Sequence, residues 1–145
     1  PAHPRALMGL CLAAGALAAS IAVQGFTLAW THSVEKVRWE EDWRIAGNRL
    51  EIVAARIRGT GAGMEPPPGA VLRDGTWHYR PALAPQAQVL LPHSPHTTGY
   101  AICITGGCIP LADLLPELPG NAVVEIAPCA GSTATGTTPD ARPTQ

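Results

Sequence analysis

The chain has 145 residues, room for one domain or a domain with a tail, and its 10 Lys and Arg against 11 Asp and Glu leave a formal charge of −1. That balance excludes the clustered basic footprint by which proteins neutralise nucleic-acid phosphates, and it excludes a strongly acidic tail. Charged residues make up 14%, below the roughly 25% of ordinary soluble domains. With 15 Gly and 15 Pro, the composition argues against a helical bundle and for short strands joined by turns.

Arg5 precedes an uncharged, Ala- and Leu-rich run from Ala6 to Val23. Its length lies at the lower edge of a membrane span and the upper edge of a signal-peptide core. Ser20-Ile21-Ala22 has the small residues a signal peptidase reads, with cleavage after Ala22. Residues 1–25 are therefore expected as a hydrophobic export helix, either a signal peptide or, if uncleaved, an anchor touching the inner membrane. The positive end stays inside and the remainder reaches the periplasm. An exported domain is expected over residues 26–129. Residues 130–145, rich in Gly, Ser, Thr and Pro, read as a disordered tail.

Within the domain, Phe26, Leu28 and Trp30 alternate with smaller or polar residues, the period of a half-buried strand. Val37, Trp39, Glu41, Trp43 and Ile45 then share one face and Arg38, Glu40, Asp42 and Arg44 the other. The second face alternates in sign and suits cross-strand pairing on a solvated surface. Trp39 and Trp43 are expected in the core; Trp30 and Trp77 fit either a core or a ligand platform. Gly47-Asn48 reads as a hairpin turn. Apolar residues change face between Leu50-x-Ile52 and Val53-x-Ala55-x-Ile57, which implies a bulge or a strand buried on both sides. After a Gly- and Pro-rich loop, Asp74-Gly75 centres a short hairpin. Further strands are expected at 88–91, 100–104 and 122–127, with one helical turn at 111–115. The whole reads as all-β: a small antiparallel sandwich or barrel of about seven short strands.

Three cysteines follow the expected export segment. With Thr105-Gly106 as central turn residues, Cys103 faces Cys108 across a hairpin, and these two are expected to form a disulfide in an oxidising compartment. The rival is Cys108 with Cys129. Either choice leaves one thiol over.

The densest polar group is His32-Ser33-Val34-Glu35 between two strands. A nucleophile and base built from Ser33 and His32 is opposed by their adjacency, since neighbours on a strand point to opposite faces, and no catalytic residue is assigned. The plainer reading has His32 and Glu35 tying down a turn, with Glu41 satisfied by a neighbouring donor. His32, Glu35 and Met64 form an alternative metal set whose donors suit copper. His93-x-x-His96 lies in a proline-broken loop, away from the helical spacing of zinc proteases. The Gly61, Gly63, Met64, Glu65 loop lacks the Gly-Lys-Thr/Ser of a phosphate loop; it reads as a tight crossover or as a rim whose amides cup an anion. His32, Ser33, Glu35, Glu41, Gly61, Gly63, Met64 and Glu65 are the candidate ligand- or partner-binding residues. No cofactor is expected. If the His32 segment and the glycine loop line one pocket the motifs form a site; at opposite ends they are architecture.

The run Thr31-His32-Ser33-Val34-Glu35-Lys36-x-x-Trp39-Glu40-Glu41-x-Trp43, followed by Gly61-Ala62-Gly63-Met64-Glu65-Pro66-Pro67, resembles a bacterial family catalogued as domain of unknown function 1850. Cys103, Cys108 and Cys129 resemble its proteobacterial branch. The resemblance implies a small exported protein encoded beside TAXI-type TRAP transporters, which import organic acids. It implies an accessory role in such uptake; together with export and the absence of an assembled catalytic signature, a non-enzymatic domain is expected, with a transporter subunit or a small anionic solute as partner. It supplies no catalytic residues.

Overall fold

The computed structural model describes residues 7–31, 37–59, 66–96 and 99–131. The chain is all-β, as the alternation and turn chemistry imply. Strands β1 (Leu7–Ala14), β2 (Leu17–Ile21), β8 (Val89–Pro92) and β11 (Val123–Gly131) make a four-stranded sheet in the order β2-β1-β11-β8. A second sheet is built from β3 (Gly25–Thr31), β4 (Arg38–Ala46), β5 (Arg49–Arg58), β6 (Val71–Arg73), β7 (Thr76–Tyr79), β9 (Ala101–Ile104) and β10 (Gly107–Pro110). Its order is β10-β9-β3-β4-β5-β7-β6, and the pairings in both sheets are antiparallel. One helical turn, α1 (Leu111–Leu114), follows β10.

The core lies between the sheets. Leu10, Leu12, Val124 and Ile126 from the smaller sheet meet Phe26, Leu28, Trp43, Ile52 and Ile102 from the larger, and Leu111 and Leu115 join them. The expected alternation of β4 is present, with Trp43 and Ile45 buried. The expected irregularity in β5 is a bulge: Asp42 pairs with Ala54 while Trp43 pairs with Ile52, so Val53 is the extra residue. Asp74 and Gly75 take the positive φ values, 52° and 76°, that a primed hairpin turn demands.

The amino-terminal expectation is corrected. Residues 7–21 are a β-hairpin, not a helix, and β1 sits between β2 and β11 in the interior of its sheet. Leu10 and Leu12 are fully buried. In place of the expected helix over residues 1–25, these strands supply side chains to the core. Among the described residues no helix is long and apolar enough to span a membrane. β11 also continues to Gly131, two residues into the expected tail.

The cysteines divide into two disulfides. Cys103 faces Cys108, and Ile104 faces Gly107, in the expected register. Cys129 pairs with Cys11, a residue expected in the export helix, and not with Cys108. The bridge joins β1 to β11 with Cα atoms 5.8 Å apart, and no thiol is left over.

Candidate functional site at one end of the larger sheet

His32, Ser33 and Glu35, together with Gly61, Gly63, Met64 and Glu65, lie outside the described residues, as do the metal ligands His32, Glu35 and Met64. The strand ends that carry them are described. The chain leaves β3 at Thr31, returns at the buried Val37, and leaves β5 at Gly59. A Cβ on Gly59 would stand 3.7 Å from Val37 Cγ2. Both motif segments therefore depart from the same end of three neighbouring strands, β3, β4 and β5.

Just inside that end, the core-facing side of the sheet carries a cross-strand row of aromatic residues. Trp30 opposes Trp39, Trp39 opposes Ile57, and Ile57 opposes Trp77. The rings of Trp30 and Trp39 stack at 6.0 Å and 11°, and Tyr100 leans on Trp30 at 5.2 Å. Trp39 is only half-buried, unlike Trp43, which corrects its expected place in the core. Its indole Nε1 is nonetheless buried and has no hydrogen-bond partner among the described residues. Such orphaned donors are uncommon because each forfeits the hydrogen bond it made to water.

One step deeper, Glu41 lies between Leu28 of β3 and Ala55 of β5, and Tyr79 pairs with Ala55 beyond it. Trp43 Nε1 donates to Glu41 Oε1 at 3.0 Å, the neighbouring donor that the plainer reading of this acid requires. Burial raises the Glu41 carboxyl above its ordinary range, and the Trp43 bond offsets this only in part. Tyr79 and Tyr100 are also pushed up, first by burial and then by the charge of Glu41.

The opposite face of β4 is solvated in part, with Arg44 exposed and Arg38 and Asp42 half-buried. Glu40 is buried, 7% exposed. It accepts from Arg38 Nε at 2.7 Å and Arg56 Nε at 2.9 Å, with Arg58 Nε at 3.2 Å. Burial pushes its carboxyl up, but the bonds from Arg38 and Arg56 and the charge of Arg58 outweigh this and leave it below the ordinary range. Arg56 also grips Asp42 with both terminal nitrogens, at 2.7 and 2.8 Å, while Thr27 donates to Asp42 at 2.7 Å. These bonds lower the Asp42 carboxyl, Arg56 foremost. Arg38 Nη2 reaches the Cys103–Cys108 bridge, 3.8 Å from Cys108 Sγ. Sequence reasoning missed Arg56 and Arg58; their alternation with Ala55 and Ile57, opposite the acids of β4, was the available signal.

Among the described residues no three His, Cys, Asp or Glu gather to hold a metal ion. His93, half of the His93-x-x-His96 pair, has a buried Nδ1 without a partner among the described residues and stands against Gly99. No curated protein and no solved structure matches the chain. The profile of one family, described as Domain of unknown function (DUF1850), matches residues 26–111, a span that takes in the larger sheet almost whole and leaves out β1, β2 and β11. The match covers more than half of the chain, and the chain belongs to that family.

Proposed function

We propose that this protein is a non-enzymatic periplasmic binding module that serves TRAP-type solute uptake and takes a small anionic solute where the two motif segments leave the larger sheet. The observation that carries this reading is the meeting of Val37 and Gly59 beside the Trp30–Trp39 stack. It supports reading the two motifs as parts of one site. Stacked aromatic faces accept a flat or apolar body, and the orphaned Trp39 N–H is a donor suited to a ligand oxygen. Two disulfides suit an oxidising compartment.

The test is a fluorescence titration of the oxidised protein with organic carboxylates, since Trp30 and Trp39 would report occupancy. Saturable quenching is expected. Trp39→Phe, which keeps a ring and removes the N–H, should weaken binding by roughly tenfold, the worth of one buried hydrogen bond. In the cell, deleting the gene should impair uptake by a neighbouring TRAP transporter. Unchanged uptake, with no transporter subunit co-purifying and no carboxylate quenching, overturns the proposal.

A further inference from the structure

A second surface lies on the outward side of the larger sheet, away from the motif end's aromatic row. Cross-strand pairing puts Arg38 opposite Arg58, Arg58 opposite Thr76, and Thr76 opposite Arg73. In the next row Glu40 faces Arg56, Arg56 faces His78, and His78 faces Val71. Arg80 follows and lines, with Arg73, His78, Val53, Ala54 and Val71, an open groove of about 460 Å³. Glu40 and Asp42 are engaged with Arg38, Arg56 and Arg58. Arg73 and Arg80 are exposed and make no ion pair among the described residues. Five arginines thus stand against two carboxylates, an excess of three, or of two with Asp74 of the adjoining turn. The chain as a whole is at −1, so positive charge is segregated onto this face.

We propose that this face docks an acidic segment of a protein partner, with Arg73 and Arg80 as its free cations and the groove as the seat for an apolar side chain. Reach favours a polypeptide over a small anion. From Arg38 on β4 to Arg73 on β6 is three strand spacings, about 14 Å at about 4.8 Å each, more than one small anion spans. Chemistry agrees, because Val71, 55% exposed and opposite His78, puts apolar surface beside the charges. The bulge at Val53 lies at the groove, whose lining includes Val53 and the small Ala54. The inner arginines are already fixed by Glu40 and Asp42, so little side-chain freedom remains to be lost on docking. The inference stands apart from the solute site, which uses the other side of the sheet.

Anisotropy with a fluorescein-labelled oligoglutamate tests it on the full oxidised chain, with an alternating Glu/Leu peptide, oligolysine, citrate and oligothymidylate as comparisons. Both acidic peptides should bind, the Glu/Leu peptide more tightly, and affinity should fall as salt rises from about 50 to 200 mM. The double variant R73E/R80E should weaken binding by roughly tenfold or more with an unchanged melting temperature. R73K/R80K should keep most of the affinity. The proposal is overturned if oligoglutamate binds no better than oligolysine, or if R73E/R80E, still folded, binds as well as the parent. It is equally overturned if citrate binds as tightly as the peptides, which makes this a small-anion site, or if oligothymidylate outcompetes them.

Discussion

Glu40 and Glu41 are adjacent on β4 and face opposite sides of one sheet, and their surroundings move their acidities in opposite directions. For Glu41 the folded value lies above the ordinary 4.5. Its contribution to stability is therefore complete below pH 4.5 and is lost as pH rises through the folded value. Glu41→Gln removes that loss while keeping an acceptor for Trp43, so at pH 7 the variant should melt above the parent and near pH 4 the two should converge. Thermal melts across this range check it; a parent that melts higher at pH 7 refutes the assignment. Glu40 and Asp42 run the other way. Their folded values lie below 4.5 and 3.8, so their contribution is complete above those values and is lost as pH falls through the lowered ones. Glu40→Ala leaves Arg56 its Asp42 partner, and Arg38 and Arg58, with side chains 40% and 55% exposed, can rehydrate. The cost should be about 2 kcal/mol by urea unfolding, below the 3–5 kcal/mol of a fully buried pair broken on one side.

At the scale of elements, what could be read from the chain depended on whether alternation was in polarity or in size. β4 was legible because charges mark its outer face. β1 was not, because the residues alternating with its buried Leu10, Leu12 and Ala14, namely Gly9, Cys11 and Ala13, are small and uncharged. Hydropathy then runs unbroken through the turn at Gly15, so the two strands read as one apolar segment. Leu10→Ala should accordingly cost about 2–5 kcal/mol, as for other buried leucines, whereas Ala13→Ser, on an exposed position, should change stability little. If Leu10→Ala is silent in denaturant unfolding, β1 is not part of the core. The candidate site was half legible. Glu41 between its tryptophans was visible from spacing, but the Trp30–Trp39–Tyr100 contacts and the orphaned indole needed β3, β4 and β9 brought side by side. So did the arginine face, whose members come from β4, β5, β6 and the end of β7.

Across the whole molecule, three of the four strands of the smaller sheet, β1, β2 and β11, come from the two ends of the described chain, and one covalent link joins β1 to β11. Cys11–Cys129 spans 118 residues and Cys103–Cys108 only 5. In the chain-entropy treatment the long loop stabilises by up to about 5 kcal/mol and the short one by about 2. C11S/C129S should therefore lower the unfolding free energy by more than C103S/C108S, which removes a clip within one hairpin. The same link fixes the fate of the amino-terminal run. Cleavage after Ala22 would remove β1, β2 and Cys11 together, strip Leu10 and Leu12 from the core, and leave the Cys129 thiol without its partner. Peptide mapping of the protein isolated from its cells, digested without reductant, should recover Cys11 joined to Cys129. Recovery of Cys129 as a free thiol, with no fragment preceding Gln24, would show that the functional protein lacks β1 and β2 and that β11 must find another neighbour.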